Sequence, residues 1–287
     1  MTYINIYRET VKALKAGGID SPEYDARCMI KYFFGIDRPD YDKIIELPEK
    51  DNTLNDFFHA VDSRTGGYPL QYIIKSWSFM DCELSLGEGV LIPNDDTEVC
   101  VRECMRFINE NKICSPTIID LCGGSGAISI ELAKKYPEAK IFSLELSDKA
   151  FEYLCINIHK NKADNIKPIK GSLFDYYDNF EDNYFDILIS NPPYVKTDDI
   201  PLLQREVQYE PVMALDGGKD GLVFYRGICE KWLSKLKDKG FISLEIGEEL
   251  GKSAAEMLKL SGVTDVRILQ DLSGLDRTVS GIYRVVQ

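Results

Sequence analysis

Apolar residues recur at helical spacing throughout the first 74 positions of the chain. They do so in three segments, at Ile4, Tyr7, Val11 and Leu14, at Ala26, Met29 and Tyr32, and at Leu54, Phe57, Phe58 and Val61. The glycines Gly17-Gly18 and Gly35 follow the first two segments, and glycine commonly ends a helix. The pattern predicts three or four short helices that form a small all-α domain over residues 1–74.

The pattern changes to extended structure near residue 75. Trp77 and Phe79, and then Leu84 and Leu86, alternate with polar positions over short stretches. Such alternation is typical of strands. We therefore expect residues 75–92 to form a β-hairpin linker between two domains.

From residue 93 onward, short apolar runs alternate with helical segments. The apolar runs cover 117–121, 141–144, 185–189 and 240–245, and the helical segments begin at about 97 and then cover about 127–135, 148–162 and 221–238. This alternation is typical of βαβ units around a mostly parallel sheet. The sequence therefore predicts an α/β domain over residues 93–287.

The composition and net charge of the chain argue against nucleic acid and membrane as partners. The chain has 287 residues, with 47 acidic against 34 basic side chains and a net charge of −13. A protein that holds duplex nucleic acid through its phosphates usually carries a basic surface, so we expect no stable nucleic-acid partner. The start of the sequence, Met1 to Asn5, shows no basic segment followed by an apolar stretch, so we expect no signal peptide. No apolar run approaches the ~20 residues of a membrane span. We expect a soluble, cytoplasmic protein.

The cysteines do not suggest a metal site. Eight cysteines are scattered along the chain without a C-x-x-C pair, and there are two histidines, His59 and His159. Zinc sites normally cluster their ligands in the sequence. We expect reduced thiols and no metal.

A glycine-rich turn indicates a nucleoside ligand. The run Asp120-Leu121-Cys122-Gly123-Gly124-Ser125-Gly126 lies between a predicted strand and a predicted helix, and Glu145 ends the next strand. Glycines let the backbone approach a ligand, and a carboxylate at that strand end accepts hydrogen bonds from ribose hydroxyls. A dinucleotide fingerprint fails because Ser129 stands at its third glycine, and a P-loop lysine is absent. The turn resembles the D-x-G-x-G-x-G turn of class I S-adenosylmethionine methyltransferases, with Cys122 at the first glycine position.

A second motif, Asn191-Pro192-Pro193-Tyr194, directly follows the strand predicted at 185–189. The side-chain oxygen of Asn191 and the carbonyl of Pro192 are two acceptors that grip both N–H bonds of an NH₂ group. The prolines stiffen the loop, and Tyr194 offers an aromatic face to a planar amide or base. These residues suit methylation of a planar nitrogen, with Asn191 and Pro192 as the catalytic pair and all four residues binding substrate.

Further segments resemble the bacterial release factor glutamine N5-methyltransferases, the HemK/PrmC family. They are Pro69 to Ile73, Phe79, Val90 to Pro93, Thr97-Glu98, Tyr209 to Pro211, Ala214 to Gly218, Asp220 to Leu222, Leu244 to Gly247 and Asp271 to Arg277. The resemblance covers residues 60 to 287, and the helical start also suits the N-terminal domain of that family.

The resemblance implies a Rossmann-like class I methyltransferase that uses S-adenosylmethionine and releases S-adenosylhomocysteine. The implied substrate is the glutamine of the Gly-Gly-Gln loop in class 1 peptide chain release factors, docked with help from the N-terminal domain. The implied cofactor contacts are Asp120, Cys122, Gly123, Gly124, Ser125, Gly126, Glu145, Leu173, Phe174 and Asn191.

The sequence departs from the family pattern at a few positions. Asn94-Asp95-Asp96 stands where the family usually has Arg-Pro, Lys75 where a glycine is common, and Leu250 in place of a frequent glutamine. The changes at Cys122 and Asn94-Asp95 leave open a non-catalytic adapter that binds release factors. The Asn-Pro-Pro-Tyr motif, which base methyltransferases share, leaves open a methyltransferase of nucleic-acid bases acting on adenine N6 or guanine N2.

Overall fold

A computed structural model describes residues 3–36 and 52–285 of the chain. They fall into two compact units. One comprises the described chain up to Ser76 together with Gln204–Tyr209, and the other comprises Trp77–Leu203 and the chain from Glu210 onward. Residues 37–51 of the predicted helical domain lie outside the described residues.

Helices make up the first unit. They are α1 (Tyr3–Ala16), α2 (Pro22–Phe34), α3 (Thr53–Thr65) and α4 (Leu70–Ile74). Pro22 opens α2, where the missing N–H of proline costs no hydrogen bond. Gly35 ends α2 in the left-handed conformation, with φ of 70°, and its N–H donates to the carbonyl of Lys31.

A buried arginine links three segments of this first unit. Nε of Arg64 lies 2.6 Å from Oδ2 of Asp25, and its Nη2 lies 2.7 Å from Oε1 of Glu206. Burial raises the pKa of Asp25, and the hydrogen bond from Arg64 opposes that shift. Nothing in the sequence indicated that Gln204–Tyr209 groups with the helices.

Strands and helices alternate along the second unit. Its elements are β1 (Ser76–Phe79), β2 (Cys82–Ser85), α5 (Thr97–Glu110), β3 (Thr117–Leu121), α6 (Ala127–Lys135), β4 (Lys140–Glu145), α7 (Asp148–Asn161), β5 (Ile166–Lys170), β6 (Phe185–Ser190), α8 (Val212–Leu215), α9 (Val223–Lys231), β7 (Leu236–Glu245), α10 (Gly251–Leu260), β8 (Val263–Gln270) and β9 (Asp276–Tyr283).

The main sheet has seven strands in the order β5-β4-β3-β6-β7-β9-β8. The first five run parallel, and β9 pairs antiparallel with both β7 and β8. The sheet is therefore mostly parallel, as the alternating pattern predicted. The chain order reverses at β3, so the carboxyl ends of β3, β4 and β6 meet at one edge.

Alternate side chains of each strand supply two separate cores. Ile118 of β3 packs with α5, α6 and the β1-β2 hairpin, whereas its neighbour Ile119 packs with α9 and α10 on the other face. In the same way, Phe241 of β7 packs in the core on the first face and its neighbour Ile242 in the core on the second. Both faces of the sheet are covered, which explains the continuous apolar runs of the central strands.

Two sequence expectations differ from the structure. The helix expected over 221–238 ends at Lys231, because Leu236 already pairs with Phe185 as the start of β7. The sequence also indicated no strand at β5, β8 or β9. The edge strands β8 and β5 carry exposed and charged positions, so neither has the apolar run of a buried strand.

Among the residues that the structure describes, no helix has the length and apolarity needed to cross a bilayer.

Candidate functional site

A cavity opens at the carboxyl ends of β4, β3 and β6. This edge of an open parallel sheet is where ligands of α/β proteins bind. Residues of the second unit line the cavity, from the segments 89–91, 122–124, 144–150, 171–174, 191–193 and 211–214, and Phe224.

The glycine-rich turn between β3 and α6 brings main chain to the cavity. Gly124 and Gly126 have φ of 56° and 87°, in the left-handed region that favours glycine. At Gly123 the constraint is space, because a Cβ there would lie 2.2 Å from Oγ of Ser143. Gly124 lines the wall, so a ligand can approach the backbone closely at this point.

Glu145, the last residue of β4, lines the same cavity. Its Oε2 accepts a hydrogen bond of 2.8 Å from the N–H of Gly124, and its Oε1 accepts one of 2.6 Å from the N–H of Ser147. Burial raises the pKa of Glu145, and these main-chain donors oppose the shift. Because each carboxylate oxygen has two lone pairs, both can still accept a hydrogen bond from a ligand hydroxyl.

The opposite part of the wall is apolar. Leu173 is buried, and the ring of Phe174 lies with its centroid 5.4 Å from that of Phe224. Gly227 of α9 makes room for this arrangement, since a Cβ there would lie 2.5 Å from the ring of Phe174. These side chains offer a flat apolar surface to a planar ring.

Cys122 stands in the cavity wall with a φ of 62°. That conformation suits glycine better than a residue with a Cβ, in agreement with the motif that has glycine at this position. Burial raises the pKa of its thiol, so the group is a neutral thiol and a poor nucleophile.

Asn191 joins the cavity to a buried hydrogen-bond network. Its Nδ2 donates to Oγ1 of Thr97 over 3.2 Å, and the Thr97 hydroxyl donates to Oε2 of Glu245 over 2.5 Å. The Tyr194 hydroxyl donates to Oε1 of the same carboxyl over 3.1 Å. Burial raises the pKa of Glu245 to about 7, although the bonds from Thr97 and Tyr194 lower it. The Asn191 side chain is thus bonded to Thr97, and Asn191 lines the cavity.

Several of the residues that the sequence singled out do not line the cavity. Of the glycine turn these are Asp120, Gly123, Ser125 and Gly126. Asp120 is buried and accepts a hydrogen bond of 2.5 Å from Oγ of Ser129, and burial raises its pKa to about 7. These residues belong to the turn but do not line the cavity. Their direct contact with a cofactor stays a prediction.

In the Asn-Pro-Pro-Tyr loop, Asn191 and Pro193 line the cavity, whereas Pro192 and Tyr194 do not. Pro192 is buried. The Tyr194 ring packs near Gly247, where a Cβ would lie 3.2 Å from it, and its hydroxyl is bonded to Glu245. Stacking of Tyr194 on a substrate amide therefore stays a prediction.

Comparisons with known proteins identify the family. Residues 5–74 match the family model described as the PrmC N-terminal domain, and residues 105–218 match the methyltransferase small domain. A release factor glutamine methyltransferase from Thermodesulfovibrio yellowstonii is 38% identical over 247 residues, covering 83% of this chain and 86% of the relative. The chain belongs to the release factor glutamine methyltransferase family.

Other members of the release factor glutamine methyltransferase family are similar over nearly the whole chain. The Fusobacterium nucleatum protein is 32% identical, covering 96% of this chain and 77% of its own length. The Moorella thermoacetica protein is also 32% identical, covering 96% and 97%. The hMettl16 catalytic domain, solved in complex with MAT2A 3′UTR hairpin 6, matches with a TM-score of 0.55 at 18% identity. It covers 71% of this chain and 76% of that one, and shows a shared fold.

These findings confirm the predicted family, the predicted class I methyltransferase fold and the prediction of a methyltransferase. The cavity residues fit S-adenosylmethionine, on which such enzymes depend. Glu145 provides acceptors for the hydroxyls of a ribose, and Leu173 and Phe174 provide an apolar wall for a base. Gly124 leaves open space where a side chain would otherwise project.

Neither Thr97 nor Glu245 was predicted from the sequence to have a role in the site of this methyltransferase. Glu245 ends β7 as Glu145 ends β4, so an acidic residue at a strand end was a usable signal. Thr97 is the first residue of α5, and no local pattern indicates that its hydroxyl lies between Asn191 and Glu245.

Proposed function

We propose that this chain transfers a methyl group from S-adenosylmethionine to the side-chain amide nitrogen, N5, of a glutamine. The substrate is the glutamine of the Gly-Gly-Gln loop in class 1 peptide chain release factors. Relatives that are 32–38% identical are named release factor glutamine methyltransferase, and this chain spans 77–97% of the length of three of them. This sequence similarity supports a release factor glutamine as the substrate.

The observation that carries the proposal is the hydrogen bonding of the Asn191 carboxamide. Its nitrogen is bonded to Thr97, and no described residue donates a hydrogen bond to its oxygen Oδ1. The side chain belongs to the cavity wall. An acceptor oxygen at that wall suits a ligand that brings an N–H donor, and a glutamine side chain ends in such a group.

The amide nitrogen of glutamine is a weak nucleophile because its lone pair is delocalised into the carbonyl. In our proposal, Oδ1 of Asn191 accepts one N–H of the substrate and the carbonyl of Pro192 accepts the other. The two prolines of the loop limit its backbone freedom, so these acceptors need little reorganisation. As positive charge develops on the nitrogen, both hydrogen bonds strengthen, and this stabilises the transition state. The methylated nitrogen then releases one N–H proton to water, which leaves the neutral N-methyl amide.

S-adenosylmethionine, when bound, supplies an electrophilic methyl group on a positively charged sulfur. The residues that we propose to hold it are Cys122, Gly124, Glu145, Leu173, Phe174 and Asn191, with Asp120, Gly123, Ser125 and Gly126 shaping the turn. Orientation is the main contribution of these residues, because a well-aligned donor and acceptor gain several kcal/mol (~7–11) relative to free reactants.

We propose that the helical domain over residues 1–74 helps to dock the release factor, with 75–92 as the linker and 93–287 as the catalytic domain. The match of residues 5–74 to the PrmC N-terminal domain supports a role specific to this family. The expected cytoplasmic location, the absence of a metal and the absence of a stable nucleic-acid partner stay predictions.

Mass spectrometry tests this function. A purified class 1 release factor is incubated with the enzyme and S-adenosylmethionine, digested, and searched for a gain of one CH₂ group. The gain is expected on the glutamine of the Gly-Gly-Gln loop, and a release factor with that glutamine changed to glutamate should gain nothing. The Asn191→Ala enzyme serves as the matched control.

The two alternatives predict other results. A base methyltransferase would label adenine or guanine in an oligonucleotide and leave the release factor unchanged. An adapter would bind the release factor without adding a methyl group. Either outcome, obtained with enzyme that binds the cofactor calorimetrically, would contradict our proposal.

A further inference from the structure

Four side chains form a continuous hydrogen-bonded network that begins at the cavity wall. Asn191 and Tyr194 follow β6, Glu245 ends β7, and Thr97 begins α5. Strands β6 and β7 are neighbours in parallel register, with Ser190 opposite Leu244, so Asn191 and Glu245 occupy adjacent strand ends. Thr97 and Glu245 are 4% and 2% exposed, and neither lines the cavity.

The chemistry of the donors and acceptors fixes the direction of each hydrogen bond. Above pH about 7 the Glu245 carboxyl is ionised and only accepts, so it takes the hydroxyl hydrogens of both Thr97 and Tyr194. A hydroxyl has one hydrogen, and that of Thr97 is used on Glu245. Oγ1 of Thr97 is therefore left as an acceptor.

Asn191 must consequently present a donor to Thr97, and the donor end of its carboxamide is Nδ2. The acceptor end, Oδ1, then points away from Thr97. If the carboxamide were turned over, Oδ1 would meet an oxygen that has no hydrogen left to donate. The reversed orientation would lose the bond to Thr97 and place two lone pairs against each other.

Burial raises the pKa of Glu245 to about 7, and the two hydroxyl donors and the guanidinium of Arg277 oppose that shift. Above that pH Glu245 is an ionised acceptor. Its main-chain carbonyl accepts a bond of 2.7 Å from the Tyr225 hydroxyl, which anchors the strand end. The charged or titratable groups that face this carboxyl are Asp96 just before α5, Cys100 on α5, Tyr194 after β6, Tyr225 on α9 and Arg277 on β9.

We propose that Thr97 and Glu245 are positioning residues that keep Oδ1 of Asn191, rather than Nδ2, facing the substrate amide. This inference rests on the proposed function, since it concerns the acceptor that grips the glutamine nitrogen. Neither residue lines the cavity. Their effect on the reaction passes through Asn191.

A pair of substitutions at Thr97 tests whether its hydroxyl orients the Asn191 carboxamide. Thr97→Val keeps the branched shape but removes the hydroxyl, so Asn191 loses the partner that selects its orientation. Thr97→Ser keeps the hydroxyl. We expect Thr97→Val to lower kcat at least about tenfold with the Kd for S-adenosylhomocysteine unchanged within about twofold, and Thr97→Ser to retain most of kcat.

Ser280→Ala is the control for simple loss of a buried hydroxyl. Oγ of Ser280 donates to Oε1 of Glu103 over 3.2 Å, and Glu103 lies on the same helix as Thr97. Ser280 is buried and does not line the cavity. We expect Ser280→Ala to lower Tm about as much as Thr97→Val does and to leave kcat unchanged.

A double variant separates positioning from general damage. If Thr97 acts through Asn191, adding Thr97→Val to Asn191→Ala should lower kcat no further. Additive losses of kcat, full activity of Thr97→Val, or equal loss in Thr97→Ser would each overturn the proposal.

A measurement without turnover keeps this proposal distinct from the proposed function. In ¹⁵N-labelled protein, the Asn191 side-chain NH₂ signal is identified by its loss in Asn191→Ala. We expect that signal to be protected from hydrogen exchange in the wild type and to lose its protection in Thr97→Val. If the wild type fails to methylate release factors but shows this pattern, the function is wrong and the positioning holds. Equal exchange in both proteins would contradict the positioning.

Discussion

The N–H of Gly124 donates a hydrogen bond of 2.8 Å to Oε2 of Glu145. This bond joins the glycine turn after β3 to the end of the neighbouring strand β4. Both residues line the cavity, so the carboxylate is held in one orientation before any ligand arrives. A preorganised acceptor loses little side-chain entropy when a ribose binds.

Replacing Glu145 should therefore weaken cofactor binding. We expect Glu145→Ala to reduce the binding free energy of S-adenosylhomocysteine by ~1–3 kcal/mol, the usual cost of losing hydrogen bonds to a charged group. Isothermal titration calorimetry measures the change. Glu152→Ala, at an exposed position on α7, should leave the affinity unchanged. Equal affinity of Glu145→Ala and the wild type would mean that the ribose binds elsewhere.

Asn191→Ala should affect the reaction more than the cofactor. Removal of one preorganised hydrogen-bonding group typically costs ~10²–10³ in kcat, and we expect a loss of that order. The Kd for S-adenosylhomocysteine should change only a few-fold, because the cavity keeps its other contacts. Asn111→Ala, at the end of α5, should retain full activity. If Asn191→Ala turns over normally, this residue has no part in the mechanism.

Buried carboxyls should make the free energy of unfolding depend on pH. Burial raises the pKa of Asp120, Glu210 and Glu245 to about 7, from ordinary values of 3.8 and 4.5. The folded protein thus holds these protons more tightly than the unfolded chain does. Their contribution to stability is complete below pH about 4 and is lost as pH rises through about 7.

Urea unfolding between pH about 4 and 7 measures how steeply the free energy of unfolding changes with pH. Glu245→Gln removes one of the titrating groups, so its free energy of unfolding should fall less steeply as pH rises. Asp220→Asn is the control, because the pKa of Asp220 is lowered to about 2 and its titration lies below the range. A slope for Glu245→Gln as steep as that of the wild type would count against the raised pKa.

Cys122→Gly should be tolerated. Glycine relieves the left-handed strain at a φ of 62°, worth ~1–2 kcal/mol, but adds ~0.5–1 kcal/mol of backbone entropy to be lost on folding. We expect the free energy of unfolding to change by no more than about 1 kcal/mol. Cofactor affinity should stay within about threefold, or ~0.7 kcal/mol. Cys122→Val, a β-branched residue at the same φ, should lower Tm clearly in thermal unfolding.

The opposite ranking, with Cys122→Gly inactive and Cys122→Val stable, would show that the thiol has a specific task. Cofactor titrations of the two variants would then reveal whether that task is binding.

The amino-acid pattern alone predicted the central part of the fold. Strands β3, β4 and β6 are continuous apolar runs because both of their faces are buried, and such runs are visible without any tertiary information. The edge strands β5 and β8 were missed because exposed positions interrupt their apolar pattern. Strand β9 lies inside the sheet, and the buried polar residues Thr278 and Ser280 interrupt its apolar run. Helix α9 was predicted too long, because pairing of Leu236 with β6 replaces the helical pattern there.

The sequence by itself determined that a glycine turn, an acidic residue and an Asn-Pro-Pro-Tyr loop follow strands of one parallel sheet. That was enough to predict a shared edge, since parallel strands end on the same side. Only the tertiary structure decided that Asn191 bonds to Thr97 and Thr97 to Glu245. Thr97 and Glu245 are 94 and 54 residues away from Asn191 in the chain. Strand order and the start of a distant helix set these contacts, and the direction of a hydrogen bond depends on partners that local patterns do not contain.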